Sequence, residues 1–502
     1  MRWRVVMGNI GTVVKFFSFA MFIPLLVSLL YWEEPLIKGF YPMNALIFLF
    51  LILFSVTIGL LLERVGMPSD FSDTEALAIV SLSWLVIALI STLPFILSGM
   101  IPGFTNAFFE SMSGLTTTGA TILEIPAGTD YLDNYPHSIM LWRALIQWLG
   151  GMGVIVLSVA ILARFTQGGI KLLQAESPGP TLTKLKPKIT HTAKVMWLVY
   201  CGFSLAEFVI LYICGMNAYE ALYHTFTTMA SGGFSSRVGS VGEFSAVIQW
   251  IITFFMIVTG VNFALLYYSF RGRVKDMLRD AEFRMYMSVF LISAAVISIC
   301  IYDAQKGILD AGRHSAFQTA SILSTTGYAT VNFDTWPDLA RLILLLLMFI
   351  GGSAGSTGGG IKNIRILIVL KILWRKFKKL GRDRMVIPIK VAGTPVPESL
   401  LDNITTFFLL YLLLFVVGTG VIVSMGLDLV SGASAVAASL GNVGPGLGSV
   451  GPVKNYAFIS SGGKILLAVL MWVGRLEIFT VLAIFNPGIY KRENNISMRR
   501  QI

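Results

Sequence analysis

Four short runs have residue types and spacing suited to chemistry. They read Thr116-Thr117-Thr118-Gly119-Ala120-Thr121, Ala230-Ser231-Gly232-Gly233-Phe234-Ser235, Ser324-Thr325-Thr326-Gly327-Tyr328-Ala329 and Gly441-Asn442-Val443-Gly444-Pro445-Gly446. Aligned on Gly119, Gly233, Gly327 and Gly444, each has a small or polar residue two positions earlier. The chemistry this suits is coordination of a dehydrated cation, which needs a ring of oxygens to replace its water. Glycine permits backbone shapes that turn carbonyls inward where a side chain would clash. The candidate donors are mainly the backbone carbonyls of Thr117, Thr118 and Gly119, of Ser231, Gly232 and Gly233, of Thr325, Thr326 and Gly327, and of Asn442, Val443 and Gly444. One Thr-Thr-Gly would be weak evidence, because Gly and Thr also help helices pack closely in lipid. That explanation fits four runs at matching places poorly.

A fifth run, Gly351-Gly352-Ser353-Ala354-Gly355-Ser356-Thr357-Gly358-Gly359-Gly360, interrupts an apolar stretch. A phosphate-binding loop would need Gly-Lys-Ser/Thr at its end. Here Gly360 is followed by Ile361 and Lys362, and no strand precedes the run. The functional reading is a flexible loop across an ion path that must move for ions to pass; the plainer one is a kinked, closely packed helix. Arg475 is expected in mid-span, where a charge is costly and is usually paired or lines a wet path. It reads as an electrostatic barrier that also holds the glycine loop, or as the partner of a carboxylate on another helix. Glu477 is two residues away and faces elsewhere on a helix. Arg143 lies near the outer end of its span and suits a supporting role; Glu207 is a second intramembrane charge with no evident partner.

The elements that must position these residues follow from composition. Of 502 residues, 55% are hydrophobic and 13% charged, against about 25% charged in soluble domains. With a mean hydropathy of +0.76, a soluble enzyme, a disordered chain and a secreted disulfide scaffold are excluded. Cys201, Cys214 and Cys300 are too few and too isolated for a zinc site or a disulfide framework. The net charge of +11 sits between apolar segments, so it reads as membrane topology rather than as a nucleic-acid surface.

About 20 apolar residues span a bilayer. The candidate spans are Ile10–Leu30, Asn44–Leu62, Ala76–Leu97, Ile139–Leu162, Val195–Cys214, Ala246–Tyr268, Met285–Ile301, Thr405–Ser424 and Gly463–Phe485, with a further run Leu339–Ile350 resuming as Ile361–Trp374 after the glycines. The first is read as a retained helix, since no small-residue cleavage site follows it. Basic runs at Arg164–Lys194, Arg271–Arg284, Lys362–Lys390 and the tail (Lys491, Arg492, Arg499, Arg500) are assigned to the cytoplasm. They also offer a surface for a cytosolic partner.

Between basic runs one layout recurs: a long span, a short amphipathic stretch, a Gly/Thr/Ser turn and a second span. The short stretches are Asn106–Leu115, Tyr219–Met229, Ser315–Leu323 and Ser431–Leu440. Each is too short to cross, so each is expected as a re-entrant half-helix inside a protein-lined cavity. Its partly negative C-terminal end would face the centre and favour a cation. The fold expected is an all-α integral membrane protein. Two N-terminal helices occupy 1–70, and repeats occupy 71–170, 190–272, 282–380 (with the loop 351–360) and 398–490. A basic tail covers 491–502.

These turns, together with Arg143–Gly153 and Gly351–Lys362, resemble the Trk/Ktr/HKT superfamily of potassium transporters, most closely its bacterial TrkH/TrkG branch. The resemblance covers nearly the whole chain, and the two extra N-terminal spans fit that branch. It implies four M1–P–M2 units around one pore, K+ as the transported ion, no organic cofactor and no enzymatic activity. It also implies a homodimer in the bacterial inner membrane, embedded in lipid, with a cytosolic ring of TrkA-like nucleotide-binding subunits. In relatives the Gly351–Gly360 segment is an intramembrane gate, and a basic residue matching Arg475 lies beside it. Relatives with Ser at the first filter glycine pass sodium, so Gly119 favours potassium. Asn442–Gly446 departs most from the pattern. The alternative is a symporter coupling potassium to protons or sodium. That would need ionisable groups along the path, and His137, His224 and His314 sit near outer ends while His191 is cytoplasmic.

Overall fold

The computed structural model describes residues 1–33, 44–66, 72–164, 189–303, 307–380, 387–391 and 393–485. Most of the basic run Arg164–Lys194, part of Lys362–Lys390 and the whole basic tail lie outside the described residues.

The N-terminal rod consists of α1 (Trp3–Ser18), a 3-10 turn and α2 (Phe22–Leu30), and packs on α3 (Asn44–Val65). It begins at Trp3 rather than near Ile10. Lys15, which breaks the apolar run in sequence, is neutralised by Glu63 at 2.8 Å. Glu75 stands in the first turn of α4 (Asp73–Leu97) and caps it together with Ser72. It also accepts from the Arg2 backbone N–H at 2.8 Å and from Arg2 Nη2 at 2.8 Å. One carboxylate therefore ties the N-terminal rod to the first repeat.

Four short helices follow the outer connections: α5 (Phe104–Leu115), α8 (Ala218–Met229), α13 (Ile308–Leu323) and α17 (Leu429–Gly441). Their partners are α6 (His137–Arg164), α7 (Ile189–Ile213), α9 (Ala246–Thr259), α10 (Phe263–Phe270), α11 (Val274–Arg279), α12 (Ala281–Cys300), α14 (Asp338–Leu347), α15 (Asn363–Lys379), α16 (Glu398–Ser424), α18 (Ser461–Arg475) and α19 (Ile478–Ile484). The short helices have 12, 12, 16 and 13 residues, roughly 18–24 Å at 1.5 Å per residue, less than the roughly 30 Å of a bilayer core. Each starts earlier than the sequence suggests, and α13 by seven residues. Many of their polar side chains are buried, among them Glu110, Thr227, Gln318 and Ser439. Irregular or polar backbone at membrane depth is tolerated only in such protein-lined surroundings.

Six helices among the described residues are long and apolar enough to cross a membrane, and a bent pair makes a seventh. That pair corrects the expected continuous span Ala246–Tyr268: α9 and α10 meet at 105°, with Gly260–Asn262 between them. Asn262 causes the restart, since its side chain accepts from Ala264 N–H at 2.8 Å and caps α10. The span Gly463–Phe485 is also interrupted. It ends as α18 at Arg475 and restarts as α19 at Ile478, with Glu477 at a φ of 63°. Arg475 is therefore at a helix end, beside the break in this span. The third interruption, between α14 and α15, is the glycine run. Three of the four inner helices are thus broken, and only α6 runs through.

Candidate functional site

The four turns share one backbone. Thr117, Ser231, Thr325 and Asn442 all adopt positive φ, at 52°, 55°, 60° and 55°; Gly119, Gly233, Gly327 and Gly444 do so at 81°, 72°, 86° and 102°. Positive φ is uncommon outside glycine and a true outlier for β-branched threonine. Strain of this kind costs roughly 1–3 kcal/mol per residue and gathers at functional sites. The bond that fixes each turn is also repeated. Thr118 N–H donates to Ser113 O, Gly232 to Thr227 O, Thr326 to Ser321 O and Val443 to Ala438 O, all at 2.8 Å. The divergent fourth turn keeps the backbone of the others, and Asn442 tolerates its left-handed position better than threonine does.

The turns close on one another. A Cβ on Gly119 would stand 2.1 Å from Gly232 O, one on Gly233 1.8 Å from Thr326 O, one on Gly327 2.0 Å from Val443 O, and one on Gly444 2.5 Å from Thr118 O. The order runs first to second, second to third, third to fourth and fourth to first. The four turns therefore form a closed ring, and each glycine lies against the next turn's carbonyl. A cavity of about 330 Å³ opens over this ring, lined by all four glycines and rimmed by Glu124, Arg237 and Lys454.

Buried side chains hold the ring from behind. Arg143 is fully enclosed; its Nε meets Glu110 Oε1 at 2.6 Å and its Nη1 the Tyr223 hydroxyl at 3.0 Å. Its guanidinium lies 3.4 Å over the Phe234 ring. This agrees with the supporting role read from the sequence. Gln147 donates to Gly232 O at 2.7 Å and accepts from Phe234 N–H at 3.3 Å. The Tyr456 hydroxyl donates to Gly444 O at 2.7 Å. Sequence reading missed Glu110, Gln147 and Tyr456 in this role. Glu110 alone carried a signal, as the single acid within the first short stretch.

Beneath the ring lies the glycine loop. Its ends are zipped where Ile361 N–H donates to Phe349 O at 3.1 Å and Gly351 N–H to Ile361 O at 3.0 Å. The tip touches two turns: Thr357 Oγ1 is 2.8 Å from Ser231 Oγ, and Gly359 N–H donates to Thr325 Oγ1 at 2.6 Å. The loop also rests in the break between α9 and α10. Ser353 N–H donates to Gly260 O at 2.8 Å and Phe263 N–H to Gly355 O at 3.1 Å.

Two cations, the buried Arg475 and the half-buried Lys362, hold consecutive carbonyls of this loop. Arg475 Nη1 donates to Thr357 O at 2.8 Å, and Lys362 Nζ donates to Gly358 O. Arg475 Nε and Nη2 have no hydrogen-bond partner, and no carboxylate pairs with Arg475 among the described residues. The nearby acid, Glu477, is engaged by Arg365 at 2.6 Å. Lys362, two residues after the glycine run, was missed as a loop ligand. Glu207 is buried with both carboxylate oxygens unpartnered. Residues predicted from sequence thus fall into two layers, the ring and the loop with Arg475 below it.

Comparison with known proteins finds relatives over nearly the whole chain. The TrkH family, described as cation transport protein, matches residues 43–489. The Trk system potassium uptake protein TrkH of Salmonella typhimurium is 38% identical over 501 residues, covering 98% of this chain and 100% of that protein. TrkG of Escherichia coli K12 is 32% identical over 497 residues, covering 97% and 99%. The crystal structure of the potassium transporter TrkH from Vibrio parahaemolyticus superposes with a TM-score of 0.85 at 34% identity, covering 98% and 100%.

Proposed function

This chain belongs to the TrkH family of cation transport proteins, and from that premise we propose that it takes up potassium through a single pore whose selectivity filter is the ring of four turns. It is an all-α, multi-pass membrane protein and a transporter rather than an enzyme. The observation that carries the filter reading is the closed contact order of Gly119, Gly233, Gly327 and Gly444. The donors proposed are the carbonyls of residues 117–119, 231–233, 325–327 and 442–444. The chain divides into the N-terminal pair (1–70) and four M1–P–M2 units at 71–170, 190–272, 282–380 and 398–490.

Gly351–Gly360 is the gate and Arg475 its lock. Support comes from the loop's place under two filter turns and from the guanidinium on its Thr357 carbonyl. In this reading the loop, held by these contacts, bars the path below the ring. The relatives' designation as parts of a Trk system supports regulatory partners. We assign these to a homodimer carrying TrkA-like nucleotide-binding subunits on its cytosolic face.

One observation favours ion-coupled transport as a second reading, namely the enclosed and unpartnered carboxylate of Glu207. Flux into liposomes containing the purified chain separates the readings. Potassium and rubidium should pass far faster than sodium and lithium, with the potassium gradient alone as driving force. Flux that stops unless a proton or sodium gradient is imposed selects the coupled reading, and equal passage of all four cations removes the filter.

A further inference from the structure

Two backbone N–H groups, one on each side of the loop tip, meet at one carboxylate outside the loop. Glu282 Oε1 accepts from Ala354 N–H at 2.8 Å and from Ile364 N–H at 3.0 Å. Ala354 lies in the descending limb of the loop, and Ile364 in the first turn of α15 just beyond it. Glu282 itself stands in the first turn of α12, on a different helix, and is buried. The first turn of α15 has no side-chain cap of its own, since Lys362 occupies the cap position without such a bond. Glu282 supplies that function from α12. A carboxylate at a helix N-terminus is favoured by the dipole as well as by the free N–H groups. Among the described residues, no other side-chain atom accepts from backbone N–H groups on both sides of the loop tip.

We propose that Glu282 is a positioning residue of the gate: its carboxylate pins both limbs of the glycine loop in the closed arrangement, and losing either bond frees the tip. This rests on the reading of Gly351–Gly360 as the gate. Its consequence is a mechanical link. Glu282 follows the exposed basic connector Arg271–Arg279, and the α9–α10 break that holds Ser353 and Gly355 precedes that connector. The loop is therefore anchored at both ends of a single cytoplasm-facing segment, so movement of that segment pulls on the loop without touching the filter.

The test is potassium flux in liposomes for Glu282→Ala and Glu282→Gln, each in the parent chain and in a chain lacking residues 354–358. Hydrogen bonds to a charged acceptor exceed neutral ones by enough that removing both should raise flux roughly tenfold. Gln keeps a carbonyl oxygen in place, so Glu282→Gln should rise by about threefold or less. Neither variant should change potassium-over-sodium selectivity. In the shortened chain both substitutions should have no further effect, because the limb they release is gone. Three results would overturn the proposal: unchanged or reduced flux in a folded Glu282→Ala chain, an equal rise for Ala and Gln, or the same rise with the loop shortened. A shortened chain that conducts no faster than the parent would instead remove the gate reading itself. If Glu282→Ala does not fold, the threefold step for Glu282→Gln and its disappearance in the shortened chain carry the test.

Discussion

The ring of turns and the loop below it solve opposite problems. In the ring, four stretches of unlike sequence take one backbone shape, with the same 2.8 Å bond at the same place in each and buried side chains behind them. In the loop, one repeat supplies the glycines and the Thr325 hydroxyl, and two others supply a helix break, a guanidinium and the Ser231 hydroxyl. The ring stores strain at Thr117, Ser231, Thr325 and Asn442, and such strain persists only where the surroundings over-determine it. The loop shows a small number of identifiable bonds to side chains. A selective layer must hold oxygens at fixed separation, whereas a gating layer must have two arrangements of similar free energy. The contrast therefore teaches which substitutions should change selectivity and which should change rate.

The largest effects belong to the ring. A side chain at any of the four glycines meets a backbone oxygen that cannot swing aside and also requires positive φ. Gly233→Ser, with 1.8 Å to Thr326 O, should abolish potassium selectivity or prevent assembly; Gly444→Ser, with 2.5 Å, should be the mildest. Gly119→Ser should weaken discrimination against sodium. Relative potassium and sodium flux in liposomes measures the series. If all four variants keep parental selectivity, the ring is not the filter.

Next is the loop. Its ends are zipped at Ile350 and Ile361, so removing residues 354–358 should leave closure intact while clearing the path. Flux should rise by at least tenfold with selectivity unchanged. A folded, shortened chain that conducts less than the parent would show that the barrier lies elsewhere.

Much of this contrast was legible in the sequence. The four turns, the short helices and the interrupted third unit could be read because glycine runs and segments below spanning length have few other uses in lipid. The breaks at Gly260–Asn262 and Leu476–Glu477 were not. Their flanks are apolar enough to read as continuous, and each break is set by one residue acting in three dimensions: Asn262 capping α10 and Glu477 at positive φ beside Arg365. Arg475 was visible as a charge, but its role depends on where α18 ends. Gln147 had no signal because it acts across repeats on a carbonyl of the second turn, and Tyr456 had none because its hydroxyl reaches Gly444 O only once the fourth turn has folded back on the segment that follows it.

Arg475 tests whether the lower layer is electrostatic, mechanical or both. Arg475→Ala removes a cation from the path and frees Thr357 O. A charge-assisted bond is worth about 1.5–3 kcal/mol, so flux should rise by roughly ten- to a hundredfold. Arg475→Lys keeps charge but loses the fork, and should fall between the two. Lys362→Met should also raise flux, by less, since Arg475 remains. An Arg475→Ala chain that folds and conducts at or below the parent rate would make the guanidinium purely structural.

The smallest effect sharpens the comparison most, because it sits on the boundary between the layers. Ser231 belongs to the second turn of the ring, and its hydroxyl meets that of Thr357 at 2.8 Å. Thr357 Oγ1 also donates to Thr259 O at 3.3 Å. Ser231→Ala deletes this one link and leaves the Thr259 bond and the backbone of both layers in place. A neutral hydrogen bond contributes about 0.5–1.5 kcal/mol, so closure of the loop should weaken by roughly two- to tenfold. If the ring is rigid and the loop separable, flux rises by that factor and the potassium-to-sodium ratio does not move. If the ratio falls while flux stays constant, Ser231 serves the ring and the two layers are one. Thr357→Val, which keeps the shape and removes both hydroxyl bonds, should exceed Ser231→Ala in rate and match it in selectivity.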